Sequence, residues 1–345
     1  MFRAALFVDS MTDLSRHGVQ AAAGCRYTAS DEATARWRRL CSRSGMLAAL
    51  FVGPVKALLV AAAVFIPFER LAGLHPTQPT FRRGWATDVL TGLMNGLLLF
   101  AVLLGVLAGI DAAGAACAPR LRNWVETRPL WAQGLFAITL ADLGLYGLHR
   151  LQHSVPWLWR FHAVHHSAEE MDWLVGFRFH PVDLLLLRIA TLGPLMALHM
   201  TPAAIGIYVG VAGWQSYLVH ANVRLPYGPL RWLLVSPEFH HWHHSAGREA
   251  YDRNYAGIIA SWDVLFGTLH LPRERQPLRY GIDERVPAGW AERFFHPFRR
   301  SAGAPAEPTR SAAAIVAIEA PDALCAVRPA RLEALAADVS TAAAR

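Results

Sequence analysis

The sequence predicts an all-α fold, that of a multi-pass integral membrane helical protein with a histidine-rich cap on one membrane face. Three observations predict it. Hydrophobic residues make up 54% of the 345 residues and charged residues only 17%, against about 25% charged residues in typical soluble domains. Five long apolar runs divide the chain, and a bilayer core needs roughly 20 apolar residues per spanning helix. Most of the 16 histidines fall in two short windows, 149–166 and 240–244.

The apolar runs are the predicted spanning helices. In chain order they are Met46–Ile66, Val89–Ile110, Leu130–Leu148, Val182–Leu198 and Ala203–Val219. Between the last two lies a short polar segment that ends in Pro202, which is typical of a tight turn, so these two runs form an out-and-back hairpin. Arginines flank several runs in similar numbers and leave the orientation undecided. The long polar stretch after His220 favours that side being cytoplasmic.

The chain is predicted to have three parts. Residues 1–45 are a poorly ordered N-terminal extension, and they are not a secretory signal because their apolar start breaks at Asp9. Residues 46–275 form the membrane-embedded domain that contains the histidine motifs. Residues 276–345 are a largely disordered C-terminal tail, since their last part is rich in Ala, Pro and Arg.

Two classes of protein are excluded by charge and cysteine content. The net charge is +7, but the arginines are spread along the chain and form no dense basic run with interleaved aromatic residues. Nucleic-acid binding is therefore not expected. The four cysteines are widely scattered without a CxxC motif, so neither a disulfide framework nor a thiolate zinc site is predicted.

The histidines have helical spacing within each window. His149 and His153 are four residues apart, and two triplets follow the pattern i, i+3, i+4: His162, His165 and His166, then His240, His243 and His244. Each triplet can present three nitrogens to one small volume. Imidazole binds Fe, Zn, Cu and Ni, and eight histidines exceed the four ligands of one tetrahedral zinc. The sequence therefore predicts a metal-binding cap with two metal ions.

Two further histidines are candidate metal ligands because of their position. His180 directly precedes the fourth apolar run and His220 directly follows the fifth, so a hairpin returns both to the membrane face of His149. For each, the alternative is an interfacial histidine that caps or anchors a helix. His241 is about 100° around the helix from His240 and is expected to lie behind the ligands rather than among them.

Two polar residues are candidates for a catalytic role. Asp142 lies two turns before His149 on the same helix face, and an ionisable residue within a span is a functional candidate. It is predicted to accept a hydrogen bond from a ligating imidazole, with an ion pair to an arginine as the alternative. Asn222 lies two residues after His220 and is predicted to hold a metal-bound water.

The histidine motifs resemble those of a known family. The chain is similar over approximately residues 80–270 to the fatty acid hydroxylase / sterol desaturase superfamily of membrane oxidases. The matching segments are His149-Arg-Leu-Gln-His153, His162-Ala-Val-His165-His166, Ser236-Pro-Glu-Phe-His240-His-Trp-His243-His244, Asp252–Gly257 and Ser261–Thr268. Three such motifs in order, interleaved with apolar runs, are far more specific than one HxxHH motif alone.

The resemblance implies a non-haem di-iron centre on the cytoplasmic face, and the protein is expected in a bacterial inner membrane. It also implies O₂-dependent hydroxylation or desaturation of an aliphatic lipid, with the box histidines as iron ligands and with His180 and the segment 220–222 as additional ligand positions. The chain shows neither a GxGxxG nucleotide motif nor a Cys₄ cluster pattern. A separate ferredoxin, cytochrome or reductase is therefore expected to deliver the electrons.

Three alternatives remain beside the oxidase. A metal-binding or metal-transporting membrane protein would place its ligands near the bilayer midplane, whereas these histidines lie at helix ends. A zinc hydrolase normally needs about three protein ligands, far fewer than are present. A non-catalytic scaffold of the same fold would have no need of intact histidine motifs.

Overall fold

The computed structural model describes residues 53–272 and 276–299, and its regular elements within those ranges are all helical. The α-helices are α1 (Gly53–Leu71), α2 (Trp85–Cys117), α3 (Pro119–Glu126), α4 (Leu130–Ser154), α5 (Pro156–His166), α6 (Pro181–Ala197), α7 (Pro202–His220), α8 (Pro237–His243), α9 (Ser261–Leu265) and α10 (Trp290–Phe295). Short 3₁₀ helices and two isolated β-bridges complete the described chain. The all-α prediction is confirmed. The predicted extension 1–45, the start of the first apolar run and the tail beyond residue 299 lie outside the described residues.

Prolines and capping side chains determine where several helices begin. α5, α6 and α7 each begin with proline, whose fixed φ suits the first helical position and whose missing N–H is not needed there. Thr201 caps α7 by accepting a hydrogen bond from the backbone N–H of Ala204. Pro156 also separates α4 from α5, so the chain turns sharply between His153 and His162.

The observed helices overlap the five predicted apolar runs. Across the described residues, one helix pair that is bent by 49°, Trp85–Leu99 with Val102–Cys117, has the length and apolar composition to cross a membrane, and no single helix does.

α6 and α7 form the predicted hairpin, and α6 packs closely against α2 and α4. Glycines permit this close packing. A Cβ on Gly144 of α4 would overlap the carbonyl oxygen of Ala190 on α6, and a Cβ on Gly114 of α2 would overlap that of Ala197. α6, the first helix of the hairpin, therefore lies in close contact with one glycine of α4 and one glycine of α2.

Gly144→Ala is expected to lower the free energy of unfolding by about 1–3 kcal/mol, because the added methyl group forces α4 away from α6. Gly147→Ala is the matched control on the same helix, since a Cβ there meets no atom within 4 Å. It should be neutral or stabilising by up to about 1 kcal/mol. Thermal unfolding of both variants measures the difference, and equal midpoints would contradict the close contact.

Residues 276–299, the first part of the predicted C-terminal tail, belong to the described part of the chain. They contain α10, and they pack against residues far upstream in the chain. Tyr280 is buried and its hydroxyl lies 3.0 Å from Nδ1 of His241. Arg293 donates to the buried carboxylate of Asp88. This segment is ordered by individual polar contacts rather than by an apolar run, so hydropathy alone did not indicate it.

Candidate metal centre

The helix ends bring nine histidines together in two buried groups. The first group comprises His149, His153, His162, His166 and His243, and the second comprises His165, His220, His240 and His244. Within each group one nitrogen from every ring lies within 4.8 Å of all the others. The eight motif histidines and His220 therefore meet as the sequence predicts, at the ends of α4, α5, α7 and α8.

The structure divides each histidine triplet between the two groups, which corrects the expectation that a triplet faces one small volume. His162 and His166 belong to the first group, whereas His165 belongs to the second. The third motif repeats this division with the groups exchanged, because His240 and His244 join the second group and His243 the first. At 3.6 residues per turn, positions i+3 and i+4 lie on opposite sides of position i. Their side chains can therefore reach different groups.

The spacing of the ring nitrogens fits shared coordination of a metal ion. In the second group, Nε2 of His220 lies 3.3 Å from Nε2 of His165 and 2.9 Å from Nε2 of His240. In the first group, the Nε2 atoms of His162 and His166 are 3.2 Å apart. Two nitrogens each about 2.1 Å from one ion, at an angle of about 90°, lie about 3.0 Å apart.

Several of these imidazoles are oriented by an acceptor on the opposite ring nitrogen. Nδ1 of five rings lies close to an oxygen: His149 to the Tyr255 carbonyl at 2.8 Å, His162 to the Asp183 carboxylate at 3.1 Å, His165 to the Arg178 carbonyl at 3.2 Å, His220 to the Ser216 carbonyl at 2.6 Å and His243 to the Arg253 carbonyl at 2.8 Å. A proton on Nδ1 donates to that oxygen and leaves the Nε2 lone pair for a metal.

His149 gives the clearest test of whether a metal fits. Its Nδ1 donates to Tyr255, while its Nε2 is buried without a hydrogen-bond partner among the described residues. A buried polar atom without a partner is costly. Here the atom faces four other imidazoles of the first group, so a metal ion would satisfy it.

Burial keeps the imidazoles in the form that binds metals. The pKa of His240 and that of His244 lie well below the ordinary histidine value, mainly because burial disfavours the charged ring and also because neighbouring histidines repel it. Both rings are therefore neutral at pH 7, with a nitrogen lone pair available.

The structure does not bring His180 into either group. Its Nδ1 accepts from the backbone N–H of Val182 at 3.1 Å and caps α6, and its Nε2 donates to the carbonyl of Phe294 at 3.0 Å. Both nitrogens are thus engaged, and Nδ1 has the helix-capping role that the sequence analysis weighed as the alternative. His241 likewise stays apart from the groups, as expected. It donates to the Ala221 carbonyl and contacts Tyr280, and burial lowers its pKa to about 3.

Asp142 and Asn222 hold backbone segments rather than histidine rings. The Asp142 carboxylate accepts from the backbone N–H groups of Gly257, Ile258 and Ile259 at 2.8–3.2 Å. The Asn222 side chain exchanges two hydrogen bonds with the backbone of His75. In the described part of the chain neither side chain bonds to a ring of either histidine group, so the structure supports positioning roles for both.

Two further carboxylates support the histidines. Asp263 accepts from the N–H groups of Tyr255 and Ala256. Together with Asp142 it binds five consecutive backbone N–H groups, and this holds the Tyr255 carbonyl against His149. Asp183, in the first turn of α6, bonds to His162 and to Gln152. The signal for Asp183 was its place inside an apolar run, two residues after Pro181.

Asp183→Asn is expected to weaken metal binding by about 10- to 100-fold, because the acceptor of the His162 ring is lost. Metal content after dialysis against graded chelator concentrations measures this. Asp172→Asn is unsuitable as a comparison because Asp172 bonds to Arg82 in the core. Asp283→Asn, at an exposed ion pair with Arg279, is the control and should retain metal as the unsubstituted protein does. Equal retention by both variants would contradict the role of Asp183.

A cavity of about 390 Å³ leads to both histidine groups between α2, α6 and α7. Its walls are mainly apolar, with leucines and glycines of these helices and the phenylalanines Phe177 and Phe179 just before α6. Five histidines line it: His149, His162, His165, His220 and His240. Its size and lining are typical of a site for an apolar small molecule.

Comparison with known proteins gives a consistent set of relatives. The family described as Fatty acid hydroxylase matches residues 134–268. The ornithine lipid hydroxylase OlsE of Rhizobium tropici is 31% identical over 70% of this chain and 74% of its own length. The alkylglycerol monooxygenase of Homo sapiens is 31% identical over 42% of this chain and 32% of its own. The cholesterol 25-hydroxylase of Rattus norvegicus is 26% identical over 65% of this chain and 74% of its own length. No solved structure matches.

Proposed function

This chain belongs to the fatty acid hydroxylase / sterol desaturase superfamily, and we propose that it is a membrane-bound non-haem di-iron oxidase. Its relatives are named hydroxylases and monooxygenases, and the chain is an oxidoreductase that acts on lipid C–H bonds. The observation that carries the di-iron proposal is the pair of buried histidine groups that open on one apolar cavity. One group of five imidazoles and one group of four favour two ions, one in each group.

Each group would hold one iron ion through ring nitrogens. Bound iron would supply the oxidising power with O₂ that no side chain provides. The protein's own residues orient the imidazoles and the substrate. The carbonyls of Tyr255, Arg178 and Ser216 keep the imidazoles in the correct tautomer, and the apolar walls of the cavity exclude water and align an aliphatic chain beside the histidines.

The proposed substrate is an aliphatic lipid, such as a sterol, a fatty acyl lipid or an ether lipid, that is hydroxylated or desaturated. The apolar cavity supports this class, as do the lipids in the names of the relatives. A ferredoxin, cytochrome or reductase would deliver the two electrons required for each turnover. No nucleic acid is involved.

We place the protein in the bacterial inner membrane, with several helices spanning the bilayer and the histidine groups facing the cytoplasm. Leu59 on α1, Leu98 on α2 and Leu135 on α4 are large apolar side chains on outward-facing surfaces, with exposed fractions of 62%, 46% and 61%. Lipid would cover such surfaces. The histidines cluster at helix ends, where a cap would meet the cytoplasm.

Metal analysis combined with O₂ consumption tests the proposal. The detergent-purified protein is loaded anaerobically with Fe(II), freed of excess metal, reduced and mixed with oxygenated lipid. About two irons per chain and lipid-dependent O₂ uptake are expected. Zinc must be excluded during loading because it outcompetes Fe(II) at imidazole sites. Retained metal without any O₂ uptake would favour a metal-binding or metal-transporting protein instead.

A further inference from the structure

One cation lines the cavity without an anionic partner. Arg188 on α6 faces the apolar space between α2, α6 and α7 and is only half-buried there. Among the described residues its guanidinium has neither an ion pair nor a hydrogen bond. By contrast, the buried Arg82, Arg178 and Arg293 all bond to Asp88.

An arginine in apolar surroundings is costly unless an anion pairs with it. The other titratable groups that line the cavity do not provide that anion. Asp142 is occupied by three backbone N–H groups, and the remaining ones are histidines and the tyrosines Tyr208 and Tyr217, none of which is an anion. An anion on the molecule that fills the cavity would supply the missing partner.

A second polar atom in the cavity also lacks a partner. Asn95 on α2 is 1% exposed and lines the same space. Its amide nitrogen donates to the carbonyl of Phe179 at 2.8 Å, whereas its Oδ1 has no hydrogen-bond partner in the described part of the chain. The cavity thus offers both a cation and a hydrogen-bond acceptor, which a pure hydrocarbon chain would leave unsatisfied.

We infer that Arg188 binds an oxyanion, a carboxylate or a phosphate, on an amphiphile whose aliphatic part occupies the cavity. The guanidinium fork matches either group with two parallel hydrogen bonds, and Asn95 Oδ1 accepts an N–H or O–H donor of the same molecule. This assignment deepens the proposed function, on which it rests, by naming an acidic lipid as the substrate class.

The position of Arg188 along α6 also restricts which part of the lipid is oxidised. Phe179, just before α6, stacks on the ring of His165 at 4.3 Å. Arg188 lies eight residues beyond His180, about 12 Å along the helix, and helical side chains lean towards the N-terminus, here towards the histidines. The anion and the oxidised carbon are therefore expected within about 12 Å of each other, and oxidation at the methyl end of a long acyl chain would contradict this placement.

Equilibrium binding to the detergent-purified protein tests the inference without requiring oxidation. The probes are a radiolabelled long-chain fatty acid, the alkyl phosphate of equal length and the neutral alcohol of equal length. The unsubstituted protein is expected to bind an anionic probe at least about tenfold more tightly than the alcohol. The tighter of the two anions indicates whether a free carboxylate or a phosphate headgroup is the natural source.

Arg188→Gln should remove this preference, and Arg188→Lys should keep part of it. Arg120→Gln, at an exposed arginine of α3, is the matched control and should leave the preference intact. Equal binding of acid and alcohol by the unsubstituted protein would overturn the inference, as would a preference that survives Arg188→Gln. If anion-selective binding is found but O₂ uptake is not, the oxidase proposal fails while the anion site stands.

Discussion

His165→Ala and His243→Ala are each expected to abolish lipid-dependent O₂ uptake, because each removes a proposed metal ligand from one of the two histidine groups. His165 belongs to the second group and His243 to the first, so the pair of variants tests both proposed metal sites separately. The loss should exceed about 100-fold, the upper range for loss of a supporting residue alone. Bound iron should fall from about two ions per chain towards one. O₂ uptake and metal content are measured on the same preparations.

His296→Ala provides the control for both variants. His296 lies outside the groups and contacts Glu284 at the surface, so its loss should change neither iron content nor O₂ uptake. Size-exclusion profiles of all three variants must match that of the unsubstituted protein, which separates lost metal from lost folding. Uptake that survives both His165→Ala and His243→Ala would contradict the proposed ligand sets.

Asp88→Ala is expected to cost about 3–5 kcal/mol of folding free energy, because it leaves buried arginines without their shared partner. Asp88 is fully buried and accepts from Arg82, Arg178 and Arg293 at 2.7–3.0 Å. Typical domains have only 5–15 kcal/mol of stability, so a large fraction of the protein should fail to fold. Thermal unfolding in detergent and the yield of monodisperse protein measure this loss.

The loss should also reach the second histidine group. Arg178 bonds to Asp88 through its side chain and to Nδ1 of His165 through its carbonyl. Asp88→Asn keeps the shape of the side chain and should lie between Ala and the unsubstituted protein in stability. Asp283→Ala removes an ion pair whose side chains are 78% and 70% exposed and should have no measurable effect. If Asp88→Ala were as mild as Asp283→Ala, the proposed central role of this network would be wrong.

Periodic features were predictable from the sequence. The apolar runs at Leu130, Val182 and Ala203 became α4, α6 and α7 with ends shifted by a few residues, because an apolar stretch and a proline both leave a clear local pattern. The pairing of His149 with His153 followed from helical spacing alone. His220 was also correctly placed near the motif histidines, because the hairpin of α6 and α7 constrains where its ends meet.

Contacts to backbone atoms were not predictable. Every residue carries a carbonyl group, so nothing in the sequence marks those of Tyr255, Arg178, Ser216 and Arg253 as the ones that orient histidines. Asp142 was singled out by its place in a span, but its partners at 257–259 lie more than a hundred residues away. His180 had the right position for a ligand, yet capping α6 and bonding to Phe294 satisfied both of its nitrogens.

The divided triplets have a consequence for how the two proposed metal sites relate to each other. Adjacent residues, His165 with His166 and His243 with His244, belong to different groups. A single peptide unit therefore joins the two sites at two places, and peptide geometry is nearly rigid. The separation of the sites is set by bond lengths and helix pitch rather than by domain packing. An ion bound in one group orders the backbone that carries ligands of the other, so the sites would load as a coupled pair.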